Sequence, residues 1–289
     1  MTVATLLALG RVSNLPTVWT NVVAATVLAG ASATPTAIFA AAAALSLFYC
    51  GGMFLNDAFD REIDAVERPS RPIPSGRASS QAVFVLGSAQ LIGGAVLLAA
   101  TARAGGAAIG RVIALAVLLA GVIVAYDAFH RRSPAAPWLM GACRALVYLC
   151  AAAALATEPR WPELLWAAVA LMLYTAGVTY VAAVEASGHA SRAWPLALVA
   201  AAPLAMIGAS GLATAALPVT LVTGWSTYAL RRAFRKDAPD VPGGIVRAIA
   251  GMCLLDAAWA WLYGAHAAAV LCALGFPLTR LAQRRVAGT

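Results

Sequence analysis

Residues 56–77, NDAFDREIDAVERPSRPIPSGR, carry three aspartates and four arginines in a chain that is otherwise mostly apolar. Asp57, Asp60 and Asp64 stand at i, i+3 and i+7. On a helix of 3.6 residues per turn they share one face, within an arc of about 60°. Three carboxylates on one stripe repel one another unless a cation lies between them. Arg61, Arg68, Arg71 and Arg77 lie among and after them, and guanidinium forks suit a polyanion. Hard carboxylate oxygens at this density favour Mg²⁺, which binds through one or two carboxylates plus substrate phosphates. The implied ligand is a diphosphate bridged to the protein by Mg²⁺. An ordinary loop between membrane helices also carries Asp and Arg, but then the helical spacing, the acid density and the clustered arginines would all be coincidence.

These residues need a scaffold, and the composition says which kind. Of 289 residues, 62% are apolar and 11% charged, and the mean hydropathy is strongly positive. That describes an all-α, polytopic membrane helix bundle, and with no long polar linker, 1–289 reads as one domain. Windows of about 19 residues mark apolar spans near 15–33, 37–55, 80–101, 107–126, 137–157, 163–184, 194–212, 214–231, 244–263 and 265–282. The last two are crowded into residues 244–282, so the count is nine or ten transmembrane helices. The N-terminus lacks a charged leader region and Arg11 precedes the first span, so no cleavable signal peptide is expected.

Charge asymmetry orients the bundle. With the N-terminus inside, the inner loops hold Arg11, Arg61, Arg68, Arg71, Arg77, Arg131, Arg132, Arg192, Arg231, Arg232, Arg235, Lys236, Arg280, Arg284 and Arg285, against Arg103, Arg111 and Arg160 outside. The positive-inside rule then predicts an integral membrane protein, of the bacterial inner membrane, with the acidic stripe facing the cytoplasm. The net charge of +8 fits this topology and membrane lipids rather than nucleic acid, for which no soluble basic domain exists. The five cysteines all lie in apolar runs without C-x-x-C spacing, as buried thiols do.

Two charges fall inside spans, Arg144 and Asp256. A lone ionised group there costs several kcal/mol, so each should face the interior and be paired. They could form a structural salt bridge with each other, the reading favoured for Asp256; Arg144 could instead reach toward the diphosphate. Asn14 and Asn21, seven apart, should also look inward.

The segment 56–77 closely resembles the first aspartate-rich motif of UbiA-type intramembrane prenyltransferases, N-D-x-x-D-x-x-x-D followed by R-P-x-x-x-G-R: Asn56, Asp57, Asp60 and Asp64, then Arg71-Pro72 and Gly76-Arg77. The resemblance extends over the whole chain and implies a fold of nine helices in most members. It implies that Asp57, Asp60 and Asp64 hold Mg²⁺, and that Asn56, Arg71 and Arg77 bind the diphosphate of an isoprenoid donor. It implies the same for Asn14, whose alternative is helix packing or capping. Tyr126, Arg131 and Arg132 also fit diphosphate binding, although the arginines could be purely topogenic and His130 a satisfied interfacial histidine.

The second motif of that family, Y-x-x-x-K-D-x-x-D-x-x-G-D, is eroded here. Tyr180 survives; Val184 stands for the lysine, Glu185 for the first aspartate, and Gly188 and Arg192 for later acids. Glu185 is then the remaining Mg²⁺ ligand of this motif, and Arg192 and His189 could replace metal charge with protein charge. The resemblance implies prenyl transfer from an isoprenoid diphosphate to a small acceptor, aromatic or cyclitol-like, the latter suggested by similarity to the EboC-type branch. A UbiA-type terpene cyclase, or an isoprenoid-diphosphate binding or transport protein impaired in catalysis, are the alternatives.

Overall fold

Helix is the default for such a chain before any tertiary contact forms. Alanine and leucine are strong helix formers, and inside a bilayer each backbone N–H and C=O must find a partner within the protein. The computed structural model describes residues 1–183, 193–235, 239–286 and 288, and every regular element among them is helical. A short α1 (Val3–Leu9) and a 3₁₀ turn (Val12–Asn14) lead into α2 (Leu15–Leu28). Then come the long α3 (Pro35–Phe59), the short α4 (Arg61–Glu67), α5 (Ser80–Ala104) and α6 (Ile109–Phe129). The second half contains α7 (Ala136–Leu155), α8 (Trp161–Ala182), α9 (Pro195–Ser210), α10 (Leu212–Leu230), α11 (Val241–Leu262) and α12 (His266–Ala282).

Each apolar span expected from the sequence falls on a helix, but six helices among the described residues are both long and apolar enough to cross a membrane: α3, α5, α6, α7, α8 and α11. The others fall short for identifiable reasons. α2 has 14 residues, about 21 Å against a hydrocarbon core of about 30 Å. The span expected over 15–33 is cut after Leu28, where Gly30 takes a φ of 66°. α9 and α12 reach 16 and 17 residues. Pro203 and Pro277 lie inside α9 and α12, where each removes an N–H and crowds the preceding turn; α10, with 19 residues, is long enough but is less apolar, carrying Thr220, Thr223, Gly224, Ser226, Thr227 and Tyr228 in its second half.

Starts are written locally. The Thr34 hydroxyl accepts from the Ala37 N–H at 3.2 Å, just before Pro35 opens α3. Ser79 does the same for α5 and Asp240 for α11, the usual N-cap chemistry. Because successive helices reverse, the first turns of α2, α5, α7 and α11 meet the last turns of α3, α6, α8 and α12 at one end. Arg11 touches Asp57, Tyr180 touches Pro134, and Gln283 touches the Val246 carbonyl there.

The helix that carries the aspartates is held by backbone rather than side chains. A Cβ on Gly51 would lie 2.8 Å from the Gly87 carbonyl, and one on Gly87 3.0 Å from the Gly51 carbonyl. A Cβ on Gly94 would lie 2.8 Å from the Ala44 carbonyl. α3 and α5 therefore touch main chain to main chain, as small residues permit in membranes. Gly51→Ala should destabilise the protein by about 1–3 kcal/mol, despite the usual helix gain of about 0.5–1 kcal/mol from replacing glycine. Gly121→Ala, whose Cβ meets nothing within 4 Å, should be neutral or stabilising; thermal unfolding in detergent compares the two.

Candidate active site

The end of α3 decides the geometry. Asp60, at φ −83° and ψ 2°, closes α3 and opens α4, so the aspartates do not run along one straight stripe. Asp57, Asp60 and Asp64 are 5%, 5% and 1% exposed. Asp57 Oδ1 accepts from Arg11 Nη2 at 3.1 Å and from Arg71 Nη1 at 3.3 Å. The same Arg71 Nη1 donates to Asp64 Oδ2 at 2.6 Å. A guanidinium thus lies between two carboxylates, where electrostatics demanded a cation. Asp60 turns away to His130 Nε2 at 3.3 Å and Arg131 Nη2 at 3.6 Å. The three carboxylates therefore lie at one end of the bundle but not on one straight stripe: Arg71 bridges Asp57 and Asp64, and Asp60 is engaged separately. Among the described residues no three Asp, Glu, His or Cys side chains converge to hold a metal by themselves.

The Asp60–His130 pair is reinforced from several sides. Burial works against the charged form of Asp60, but the His130 hydrogen bond and charge, then Arg131 and Arg71, hold its carboxyl below the ordinary range. Burial likewise works against the His130 imidazolium, and the Asp60 hydrogen bond and charge, helped by the Asp127 backbone, raise it above its ordinary value. The Tyr126 ring stacks on the imidazole at 5.1 Å between centroids. His130 is thus a working member of the ion-pair cluster rather than a bystander. Arg131 also reaches Glu67 at 3.1 Å, which ties α4 to the end of α6.

Three further residues join the site although their sequence context gave them no such role. Arg11 adopts a left-handed backbone (φ 41°, ψ 46°), uncommon for a residue other than glycine. From there its guanidinium bridges Asn56 Oδ1 and Asp57 Oδ1, both at 3.1 Å. Asn56 Nδ2 donates to Asp127 Oδ1 at 3.3 Å, linking α3 to α6. Asp127 Oδ2 is buried without a hydrogen-bond partner, as is Asp64 Oδ1. The third is Tyr49, which accepts from Asn14 Nδ2 at 3.2 Å and lies under the Arg144 guanidinium at 5.6 Å.

The remaining candidates divide. Asn14 is buried and saturated: it donates to the Gly288 carbonyl at 2.8 Å and accepts from Gln283 at 2.9 Å, tying α2 to the C-terminal segment. Arg77 is exposed and folds back onto its own loop, donating to the Ser70 carbonyl and to Ser75. Arg132 is exposed and makes no ion pair among the described residues. Tyr180 donates to the Pro134 carbonyl at 3.3 Å and packs between Trp138 and Trp194, at the same end but in an aromatic cluster of its own. Glu185 and Arg192 lie outside the described residues, with the rest of 184–192.

Deeper in the bundle, Arg144 and Asp256 are joined by an amide instead of the direct salt bridge the sequence suggests. Arg144 Nη1 donates to Asn21 Oδ1 at 3.2 Å, and Asn21 Nδ2 donates to Asp256 at 2.8 Å. Thr20 and Tyr148 donate to the same carboxylate, each at 2.5 Å. The Asn21 side chain is long enough to relay the attraction and satisfies both charges. Between this relay and the aspartates runs a cleft of about 70 Å³ lined by Tyr49, Tyr126, Asp127 and Arg144. A wider groove of about 340 Å³ beside Phe59, Arg61 and Phe84 includes none of the three aspartates.

Mg²⁺ takes one or two carboxylates and completes its shell with phosphate and water oxygens. Asp57 and Asp64, paired about one cation site with Asp64 Oδ1 left over, have the donor chemistry for such a shared ion.

The sequence profile of the UbiA prenyltransferase family matches residues 15–242. Over 103 residues the chain is 39% identical to a digeranylgeranylglyceryl phosphate synthase of Methanothrix thermoacetophila, covering 36% of this chain and 35% of that one. Over 83 residues it is 43% identical to the synthase of that name from Methanopyrus kandleri, covering 28% and 30%. The matches thus span about a third of these relatives. Two solved structures resemble the fold along nearly its full length. One, described as "Structural and mechanistic insights into the biosynthesis of Digeranylgeranylglyceryl phosphate synthase in membranes", has a TM-score of 0.54 at 18% identity, covering 96% of this chain and 95% of the other. The second is the apo structure of a UbiA homolog from Aeropyrum pernix K1, with a TM-score of 0.50 at 17% identity and coverage of 95% and 97%.

The Asp60–His130 pair has a defined pH window. His130 stabilises the fold fully below its ordinary pKa of about 6.5, and that contribution is lost as pH rises through its raised folded value. Asp60 contributes above its ordinary value of about 3.9, and loses that contribution as pH falls through its depressed one. NMR titration of labelled His130 should find its midpoint above that of an ordinary imidazole, and Asp60→Asn should move it down.

Proposed function

The chain belongs to the UbiA prenyltransferase family, and on that premise we propose that it transfers a prenyl group from an isoprenoid diphosphate to a small acceptor within the membrane, releasing diphosphate. The observation that supports this most directly is the Arg11–Asp57–Arg71–Asp64 cluster. It is a buried set of hard oxygens and guanidinium groups at the end of an integral membrane helix bundle. A donor's charged head can meet it while its hydrocarbon tail stays among the helices.

Asp57, Asp60, Asp64 and Glu185 would hold Mg²⁺, with Asp57 and Asp64 on either side of the point that Arg71 now fills. When bound, the ion supplies positive charge to the departing diphosphate. Arg71, with Arg131 and Arg132 from the end of α6, adds fixed positive charge at the same place, and Arg77 is exposed enough to swing toward it. Asn56 orients Arg11 and Asp127. Tyr126 keeps His130 and hence Asp60 in place, while Asn14 and Tyr180 brace the rim. Arg192 offers the charge that the eroded second motif no longer draws from metal. The C1–O bond of the donor breaks toward diphosphate, and the apolar helix walls keep water from the allylic carbon.

The acceptor class spans aromatic and cyclitol-like molecules, and the name of the relatives, with glyceryl phosphate in it, supports an oxygen nucleophile. We assign the active end to the cytoplasmic side of a bacterial inner membrane, crossed by nine or ten helices in all, from the distribution of arginine.

Binding and turnover separate the roles. Asp57→Ala and Asp60→Ala should weaken Mg²⁺-dependent binding of geranylgeranyl diphosphate by about 100-fold, read by titration of the purified chain in detergent; unchanged affinity removes the site. Glu185→Gln should lower diphosphate release more than donor affinity. Arg103→Ala, at the far end of α5, should change neither.

A further inference from the structure

The arginines at the charged end of the bundle fall into two groups. Arg11, Arg71 and Arg131 meet the carboxylates of Asp57, Asp64 and Asp60. A second group gathers at the same end, where α10 stops, α11 begins and α12 stops. Arg231 lies over the Tyr228 ring, 4.9 Å from its centroid. Arg280 is under the charges of Arg247 and Arg284 and has Tyr228 beside it. Guanidinium groups from three helices thus converge around one aromatic ring. Asp240 takes Arg247 at 3.1 Å, but Arg231, Arg280 and Arg284 make no ion pair among the described residues. Between α10 and α11, Lys236 and Asp237 cancel in charge.

The positive-inside rule accounts for arginines at this end, and helix dipoles favour cations in the last turns of α10 and α12. Neither accounts for their convergence. Arg280 and Arg284 are four residues apart on α12, a spacing at which like charges destabilise a helix. Arg280 is half-buried and the Arg247 side chain is 18% exposed, so salt screens this repulsion less than it would on an open surface. An anion among the guanidinium groups removes it, and their forks match phosphate oxygens. We propose that this cluster binds the phosphate head of an anionic phospholipid, at a site independent of the aspartates.

The surroundings select a lipid over free phosphate. Trp225 packs against Tyr228 at 5.3 Å and Phe276 at 4.5 Å between ring centroids, and its Nε1 donates to the Arg247 carbonyl at 3.0 Å. Aromatic rings beside a basic cluster are the composition of the headgroup level, and basic pockets between membrane helices take anionic heads. On the adjoining face of α12, Leu274, Leu278 and Leu281 form an exposed row, a wall along which acyl chains lie. Free phosphate would use the arginines but neither the rings nor the wall. The site is also anchored inward. Arg280 Nη1 donates to Gln283 at 2.8 Å, and Gln283 donates to Asn14 and to the Val246 carbonyl. A bound head therefore draws the ends of α10, α11 and α12 together and braces the start of α2.

The test uses the full chain in phosphatidylcholine nanodiscs, with phosphatidylglycerol as the probe. Native mass spectrometry should find phosphatidylglycerol retained in preference to phosphatidylcholine, and adding it should raise the midpoint of thermal unfolding. Arg231→Gln and Arg284→Gln alter exposed side chains that make no side-chain hydrogen bond among the described residues. Each should weaken phosphatidylglycerol binding about tenfold. Arg61→Gln, which removes the same charge elsewhere at this end, should change it by less than about twofold. Inorganic phosphate at matched ionic strength should displace the lipid no better than chloride. Equal retention of the two lipids, an unfolding midpoint indifferent to phosphatidylglycerol, unaltered binding in both cluster variants, or an equal loss in Arg61→Gln overturns the site. Displacement by phosphate beyond that by chloride overturns the choice of a lipid as its ligand.

Discussion

A carboxylate that is almost wholly buried stays charged only if cations are brought to it. Asp57 draws them from stretches 46 residues before it and 14 residues after it in the chain. That demand explains much of the local architecture. It holds Arg11 in a left-handed turn ahead of α2, and folds the 68–78 loop back so that Arg71 reaches inward. With Asp64 taking the other side of Arg71, α4 is fixed against the end of α3. Removing a cation from this cluster would strand a buried negative charge, a far larger penalty than the loss of a surface pair.

A second polar layer lies below the first and uses different chemistry. Arg144, Asn21 and Asp256 come from α7, α2 and α11, three helices that meet in the interior. Their charges are separated by an amide, so each is satisfied without direct contact. Tyr49 connects the layers, with its hydroxyl facing Asn14 and its ring under Arg144. The cleft between the layers thus has a rigid floor and an ion-paired rim. The apolar residues around it do the sealing, while the polar ones set its orientation.

Much of this could be read from the residues alone. Apolar run lengths located the helices because lipid permits little else, and the i, i+3, i+7 aspartates marked the charged end. Prolines inside α9 and α12 were visible, but how far they shorten a span depends on packing that no window captures. The break at Asp60 was hidden, since its neighbours are all compatible with continuous helix. Arg11 was legible as a topological charge but not as an Asp57 partner, because their contact depends on a turn that propensity disfavours. Asp127 stood between better-known residue types, and only its unmatched oxygen in the folded protein draws notice. Arg144 and Asp256 were visible as intramembrane charges, and Asn21 as inward-facing, yet the order of the three in space could not follow from spacing.

The glycine contact between α3 and α5 bears on how a bulky hydrocarbon could come and go. Where main chain lies on main chain, with no rotatable groups between, two rods behave as a single slab. Prising them apart would forfeit close main-chain packing that no side chain is there to replace. On the opposite flank of α3, Gly52 faces the Ile123 side chain of α6, and an isoleucine can change rotamer where a carbonyl cannot retreat. The slab is the fixed jamb, and the α6 flank, pinned only at its charged end by Asn56–Asp127 and Asp60–His130, is the side where side chains can yield.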